Sequence, residues 1–146
     1  MKPRYMLDTN ICIYIRRARP PQVLERFRDL RPGEVVISPI THGELQFGLE
    51  KIRDTPGFDA ALRAFARLTE MIPVVTPGEA TAAHYAAFRA KLQRAGLIIG
   101  NNDLWIAAHA KALDVILVTN NTREFDRLKP ALTIENWAAR GSVSGA

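Results

Sequence analysis

Three acidic residues, Asp8, Glu44 and Asp103, follow predicted strands or share a helix face with apolar residues. No basic residue lies among them to neutralise their charge. A carboxylate that is buried, ionised and unpaired is costly, and clustered carboxylates repel one another. A hard cation such as Mg²⁺ prefers oxygen ligands, and it can activate water and polarise a phosphoryl oxygen. The three acids therefore predict one divalent-cation site that acts on a phosphoryl group.

Asp8 and Asp103 differ in how well a purely structural role explains them. Asp8 closes the first apolar run, and either Asp8 or Asn10 could cap the helix that follows, although Thr9 and Asn10 could do so without Asp8. Asp103 is not needed as a cap, because either of the two asparagines before it can serve. The residues three, four and seven positions after Asp103 are apolar, so its carboxylate faces the predicted core.

Glu44 allows two interpretations. With Thr41 it matches a capping box, in which it would only begin a helix. However, Pro39 suits the first position of a helix, which would place Glu44 in the second turn. There it shares a face with Ile40 and Phe47, and an acid on an apolar face requires a partner.

A fourth polar segment follows the clearest apolar run, at 115–118. Thr119 and Asn121 come directly after it, and hence at the same edge of the predicted sheet as Asp8. An asparagine-rich turn is the simplest explanation. Asn121 could also bind a metal ion or a water molecule, and Glu124 or Asp126 could add negative charge.

Short apolar runs alternate with longer helical patterns along the chain. The runs predict strands at 5–7, 35–37, 72–75, 115–118 and, less clearly, 132–134. The patterns predict helices at about 21–30, 39–52, 59–71, 77–95 and 103–113, the fourth with Thr76 as its cap and Gly96 as its stop. Continuous apolar strands suit a parallel sheet covered on both faces. The sequence predicts a three-layer α/β/α sandwich with a mostly parallel sheet of four to five strands.

Length and composition set the remaining limits. The 146 residues fit one domain, expected over 1–137, with a frayed tail at 138–146. With 47% hydrophobic residues the chain is not disordered, and its single cysteine, Cys12, excludes a disulfide scaffold. No apolar run approaches the roughly 20 residues of a membrane span, and the start does not resemble a signal peptide. We expect a cytoplasmic protein.

The charge favours a polyanionic partner. The formal net charge is +5, and fifteen of the twenty basic residues are arginines, whose planar fork suits phosphate. Many basic proteins bind no nucleic acid, so charge alone decides nothing. A basic stretch marks the N-terminal helices; a solvated helix face explains most of it, and one or two of its members could contact an RNA backbone. Its members are Arg16, Arg17, Arg19, Arg26, Arg28 and Arg31.

Four segments, in this order, resemble the PIN-domain ribonucleases, and most of all the VapC toxins of bacterial type II toxin–antitoxin systems. The resemblance extends from about Tyr5 to Trp137. The segments are Met6-Leu7-Asp8-Thr9-Asn10, Ile40-Thr41-x-Gly43-Glu44-Leu45, Asn102-Asp103-x-x-Ile106-Ala107-Ala108-His109-Ala110 and Leu117-Val118-Thr119-Asn120-Asn121-x-x-Glu124-Phe125.

The resemblance implies an endoribonuclease that depends on Mg²⁺ or Mn²⁺ and leaves a 5′-phosphate and a 3′-hydroxyl. It places the family's three acids at Asp8, Glu44 and Asp103, with Asp8 and Asp103 as the metal ligands. Where many PIN domains carry a fourth acid, this chain has Asn121, as many VapC-like chains do. The resemblance further implies a homodimer, a small VapB-type antitoxin as partner, and tRNA as the favoured substrate.

Two other enzyme classes do not fit these residues. A phosphoryl-accepting receiver domain needs an aspartate after its middle strand, but Thr76 and Pro77 follow that run, and an aspartyl-nucleophile hydrolase needs a second acid where Asn10 stands. A PIN-like module that binds RNA or a partner without cleaving it remains the alternative; loss of Asp8 or Asp103 would indicate it, and both are present.

Overall fold

The computed structural model describes residues 2–139 and shows a sheet of four parallel strands in the order β2-β1-β3-β4. The strands are β1 (Tyr5–Leu7), β2 (Val35–Val36), β3 (Ile116–Val118) and β4 (Ile134–Glu135). The helices are α1 (Thr9–Arg17), α2 (Pro21–Arg28), α3 (Pro39–Lys51), α4 (Phe58–Met71), α5 (Glu79–Ala95), α6 (Asn101–Leu113) and α7 (Thr122–Phe125), followed by a 3-10 turn at Asp126–Leu128.

Helices cover both faces of the sheet, because successive side chains of a strand point to opposite sides. Met6 and Leu117 pack into a core that includes buried residues of α5 and α6. Tyr5, Leu7 and Val118 pack into a second core with buried residues of α1, α2, α3 and α4. The predicted three-layer α/β/α sandwich with a parallel sheet is confirmed, with four strands.

The run at 72–75 does not form the predicted strand. Only Val74 forms a bridge, to Ile37, beside β2. The neighbouring chain turns into α3 at Pro39, so it offers no further partner. Pro73 and Pro77 also lack the backbone N–H that a longer ladder requires.

The start of α5 also differs from the prediction, whereas its end agrees with it. The N–H of Val75 still donates to the carbonyl of Ile37, which keeps the chain extended. Gly78 is extended as well, and the helix begins at Glu79 without a side-chain cap, so Thr76 is not its cap. The helix ends at Gly96, whose φ of 70° places it in the left-handed region that favours glycine.

The strand register decides which side chains meet at the carboxyl edge of the sheet. Leu7 at the end of β1 pairs with Val118 at the end of β3. The next residues, Asp8 and Thr119, therefore lie side by side, although 111 positions separate them. Sites of parallel α/β sheets form at this edge.

The predicted C-terminal tail is described only as far as position 139. Ala138 is held by Gln22, whose Nε2 donates to its carbonyl, and by Asn136, whose Oδ1 accepts from its N–H. The rest of the expected frayed tail, from position 140 onward, lies outside the described residues. None of the helices in residues 2–139 is long and apolar enough to cross a membrane.

Candidate metal centre

Asp8 caps α1 and at the same time lies at the centre of a hydrogen-bond cluster. Its Oδ1 accepts from the backbone N–H of Thr9 at 2.8 Å. Its Oδ2 accepts from the Thr119 hydroxyl at 2.8 Å and from Asn10 Nδ2 at 3.3 Å. The expectation that Thr9 and Asn10 might cap the helix without Asp8 is wrong, because the carboxylate is the group that reaches the first free N–H.

Burial disfavours the ionised form of Asp8. The residue is 4% exposed, and desolvation raises its pKa, with Glu44 adding to the increase. The hydrogen bonds from Thr119, Thr9 and Asn10 oppose that increase. A carboxylate offers about four lone-pair sites, so three hydrogen bonds leave Asp8 with capacity for one further ligand.

Glu44 reaches the same place from α3. Ser38 caps this helix and Pro39 occupies its first turn, so Glu44 lies in the second turn, as the proline predicted. The Thr9 hydroxyl donates to Glu44 Oε1 at 2.6 Å, which links α3 to α1 directly beside Asp8. Among the described residues, no side chain donates to Glu44 Oε2, which is left free to accept a hydrogen bond from a ligand or from water.

Asp103 enters from the first turn of α6, after the extended residue Gly100. Desolvation raises its pKa to about 7, and the negative charges of Asp8, Glu124 and Glu44 contribute. A hydrogen-bond interaction with Glu124 raises the pKa of Asp103 further. The neighbouring carboxyl groups thus lie close enough to Asp103 to disfavour its ionisation.

Asn121 donates hydrogen bonds to two neighbouring residues of the cluster. Its backbone N–H donates to the Thr119 hydroxyl oxygen at 2.9 Å, and its Nδ2 donates to Glu124 Oε2 at 2.9 Å. The sequence left open whether Glu124 or Asp126 supplies the fourth negative charge. The structure brings Glu124 to the cluster, whereas Asp126 forms an exposed ion pair with Lys129 at 3.1 Å.

Sequence reasoning treated Thr9 and Asn10 only as possible caps. Both contact the predicted site acids, Thr9 through Glu44 and Asn10 through Asp8. Their position directly after an acid that ends a strand is the one signal that could have identified them.

The oxygen donors at this edge fit a hydrated Mg²⁺ ion. Within residues 2–139 no three His, Cys, Asp or Glu side chains form a ready-made metal cage. Mg²⁺ does not require one, since it keeps several waters and commonly takes one or two protein carboxylates. Asp8 and Asp103 supply two carboxylates, and a cation would replace the proton that the cluster otherwise holds.

Comparison with known proteins agrees with this geometry. The family model described as PIN domain matches residues 5–129. Ribonuclease VapC1 of Haemophilus influenzae (strain R2866) is 41% identical over 134 residues, which cover 91% of this chain and 97% of the relative. The tRNA(fMet)-specific endonuclease VapC of Shigella flexneri is 40% identical over 135 residues, 92% of this chain and 98% of the relative.

Among solved structures, the crystal structure of VapBC2 from Rickettsia felis, bound to a DNA fragment from its promoter, contains a chain that superposes with a TM-score of 0.81. It is 36% identical, and the match covers 91% of this chain and 98% of that one.

Proposed function

The chain belongs to the PIN-domain family and, within it, to the VapC ribonucleases, and on that basis we propose that it hydrolyses RNA with a divalent cation held by Asp8 and Asp103. Mg²⁺ is the expected ion, and Mn²⁺ could replace it because it also accepts oxygen ligands. The observation that supports this most is the convergence of four carboxyl groups at one sheet edge, where desolvation and the neighbouring acids together raise the pKa of Asp103 to about 7.

Each protein group has a separate task in the proposed reaction. A divalent cation held by Asp8 and Asp103 would supply the chemistry of lowering the pKa of water and polarising the phosphoryl oxygen. Glu44, fixed by Thr9 through one oxygen, uses the other to orient the attacking water and accept its proton. Water attacks the phosphorus in line, the bond to the 3′ oxygen breaks, and that oxygen takes up a proton from solvent. The products carry a 5′-phosphate and a 3′-hydroxyl.

Thr119, Asn10 and Asn121 prepare the acids without touching the substrate. Thr119 and Asn10 hold Asp8 in one orientation. Asn121 orients Glu124, which shares a hydrogen bond with Asp103. Such outer hydrogen bonds fix ligand orientation at metal sites and commonly change metal affinity or activity by about 10- to 100-fold when removed.

We further propose that the protein is the toxin of a type II toxin–antitoxin pair and acts on tRNA in the cytoplasm as a homodimer. The name of the Shigella flexneri relative supports tRNA as the substrate. The VapBC complexes of Rickettsia felis and Haemophilus influenzae support a cognate VapB-type antitoxin. A short gene for a DNA-binding protein next to this one would agree with that pairing.

The decisive experiment incubates the purified protein, free of antitoxin, with total tRNA and Mg²⁺. Asp8→Asn and Asp103→Asn are compared with Asp59→Asn, which removes an exposed acid from the equivalent first turn of α4. We expect cleavage by the wild type and by Asp59→Asn, and none by the two site variants or in EDTA. Equal cleavage by all variants would indicate a contaminating nuclease and overturn the proposal.

A further inference from the structure

A cavity of about 570 Å³ lies beside the carboxylate cluster and has no part in the reaction described above. Helix α1, the turn after it, and the segments that follow β3 and β4 form its walls. No acid lies among the residues of 2–139 that line it. The lining residues are Tyr14, Arg17, Arg19, Pro20, Asn120 and Ala138.

The cavity is connected to Asp8 by two hydrogen bonds. Asn10 donates through Nδ2 to Asp8 and accepts through Oδ1 from the backbone N–H of Asn120 at 3.2 Å. A single amide group therefore separates the wall of the cavity from a proposed metal ligand. Arg17 also lines a second cavity, of about 330 Å³, whose walls include Glu44. Arg17 therefore lies where the two cavities meet, and one of them is lined by Glu44.

Hydrogen bonds hold the walls in place without a ligand. Asn120 Nδ2 donates to the Tyr14 hydroxyl at 3.0 Å, and Asn136 Nδ2 donates to Asn120 Oδ1 at 3.1 Å. Gln22 and Asn136 fix Ala138 on the opposite side. A site that is already ordered loses little conformational entropy when it binds a ligand.

The groups left free in this cavity are donors and cations. The Tyr14 oxygen accepts from Asn120, so its own proton remains available to a ligand. Arg17 and Arg19 are exposed, and neither forms an ion pair with a described residue. Ala18 between them has a φ of 56°, in the left-handed region, and this turn brings both arginines to the same cavity. Free donors and two guanidinium groups without an acid fit the phosphates of a nucleic-acid strand.

We infer that this cavity is a subsite for the RNA nucleotide next to the scissile phosphate, with Arg17 and Arg19 on its phosphate and the Tyr14 hydroxyl as a further donor. The inference rests on the proposed ribonuclease function and names the path of the substrate strand. Arg17, Arg19 and Tyr14 then bind the substrate and take no part in the chemical step.

A binding measurement tests the subsite independently of cleavage. Arg17→Gln/Arg19→Gln is compared with Arg63→Gln/Arg94→Gln, which removes the same charge from exposed positions of α4 and α5 that do not line the cavity. Fluorescence anisotropy follows a short labelled single-stranded RNA in EDTA at several salt concentrations. We expect the dissociation constant of the first variant to rise about tenfold or more, and the slope of log K against log salt to become less steep by about 1.4. The control should match the wild type.

Cleavage kinetics with Mg²⁺ provide the second test. Tyr14→Phe should raise KM about fivefold, the effect of one lost hydrogen bond, with kcat nearly unchanged. Thermal unfolding of every variant excludes a folding defect as the cause.

The outcomes separate the two proposals. A wild type that binds RNA but never cleaves it would overturn the ribonuclease function while the binding measurement still tests the subsite. A wild type that cleaves, with both double variants binding RNA equally well, would overturn the subsite alone. The same anisotropy measurement is made with a labelled acidic peptide. If Arg17→Gln/Arg19→Gln binds this peptide less tightly than the wild type does but binds RNA equally well, the subsite is overturned in favour of a protein ligand.

Discussion

The hydroxyl of Thr119 donates a 2.8 Å hydrogen bond to Asp8 across two adjacent parallel strands. Both residues follow directly on strands that pair in register, Leu7 with Val118. The bond is buried and competes with the desolvation that raises the pKa of Asp8. It therefore helps to keep this carboxylate ionised and ready for a cation.

Removing this hydroxyl should impair both the metal site and the fold. In Thr119→Val the shape is kept, but Asp8 loses a donor and the N–H of Asn121 loses its acceptor. We expect Mg²⁺ affinity and cleavage rate to fall about 10- to 100-fold and the free energy of unfolding to fall by about 1–3 kcal/mol. Calorimetric metal titration and chemical denaturation measure the two effects. Thr119→Ser should restore both, and a Thr119→Val protein with wild-type metal affinity would contradict the assigned role.

The acids should make Mg²⁺ binding depend on pH. The pKa of Asp103, raised to about 7, means that the metal-free fold favours a proton there. The contribution of this proton to the free energy of unfolding is fully present below the unfolded pKa of about 3.9. It is lost as the pH rises through about 7. A cation replaces the proton, so the increase in Tm on adding Mg²⁺ should be larger above pH 7 than below it. Asp103→Asn should abolish most of that difference, and a shift independent of pH would count against Asp103 as a ligand.

Glu124 and Asp126 should respond differently to loss of charge. Glu124→Gln removes a negative charge and a hydrogen bond that both raise the pKa of Asp103, so that pKa should fall. We expect cleavage to decrease about tenfold or more, since the partner that orients Asp103 is changed. Asp126→Asn breaks only an exposed ion pair with Lys129 and should leave cleavage within about twofold of the wild type. Single-turnover cleavage assays at several pH values compare the two, and equal losses would refute the distinction.

His109 should make the fold sensitive to mild acid. The residue is 1% exposed, its two ring nitrogens have no hydrogen-bond partner in the described part of the chain, and burial lowers its pKa. The unfolded chain therefore binds a proton more readily, and stability should fall as the pH drops through the unfolded value of about 6.5. Urea denaturation of the wild type and His109→Leu across this range isolates the effect, because the variant cannot take up that proton. Parallel curves for the two proteins would show that His109 does not titrate in this way.

Local physical rules determined much of this protein from its sequence alone. Short apolar runs separated by helical patterns led to the parallel sandwich, and Pro39 and Gly96 correctly marked a helix start and a helix end because each restricts the backbone in its own way. Asp8 could be selected because it follows a buried strand, and Asp103 because apolar residues share its helix face. The apolar face predicted for Glu44 is wrong in part, because Phe47 is 62% exposed. The sequence thus predicts a cation as the partner of these acids, but it gives none of the distances within the site.

Tertiary structure alone decided which groups meet. The strand order placed Thr119 beside Asp8, and helix orientation turned Glu124 toward Asp103 while Asp126 faces Lys129. A run that looked like a strand at 72–75 contributes one bridge, because the chain beside it turns into α3. Spacing along a chain fixes only near neighbours, whereas contacts between distant segments depend on register and packing. For that reason the type of site could be predicted from the residues, but its internal contacts could not.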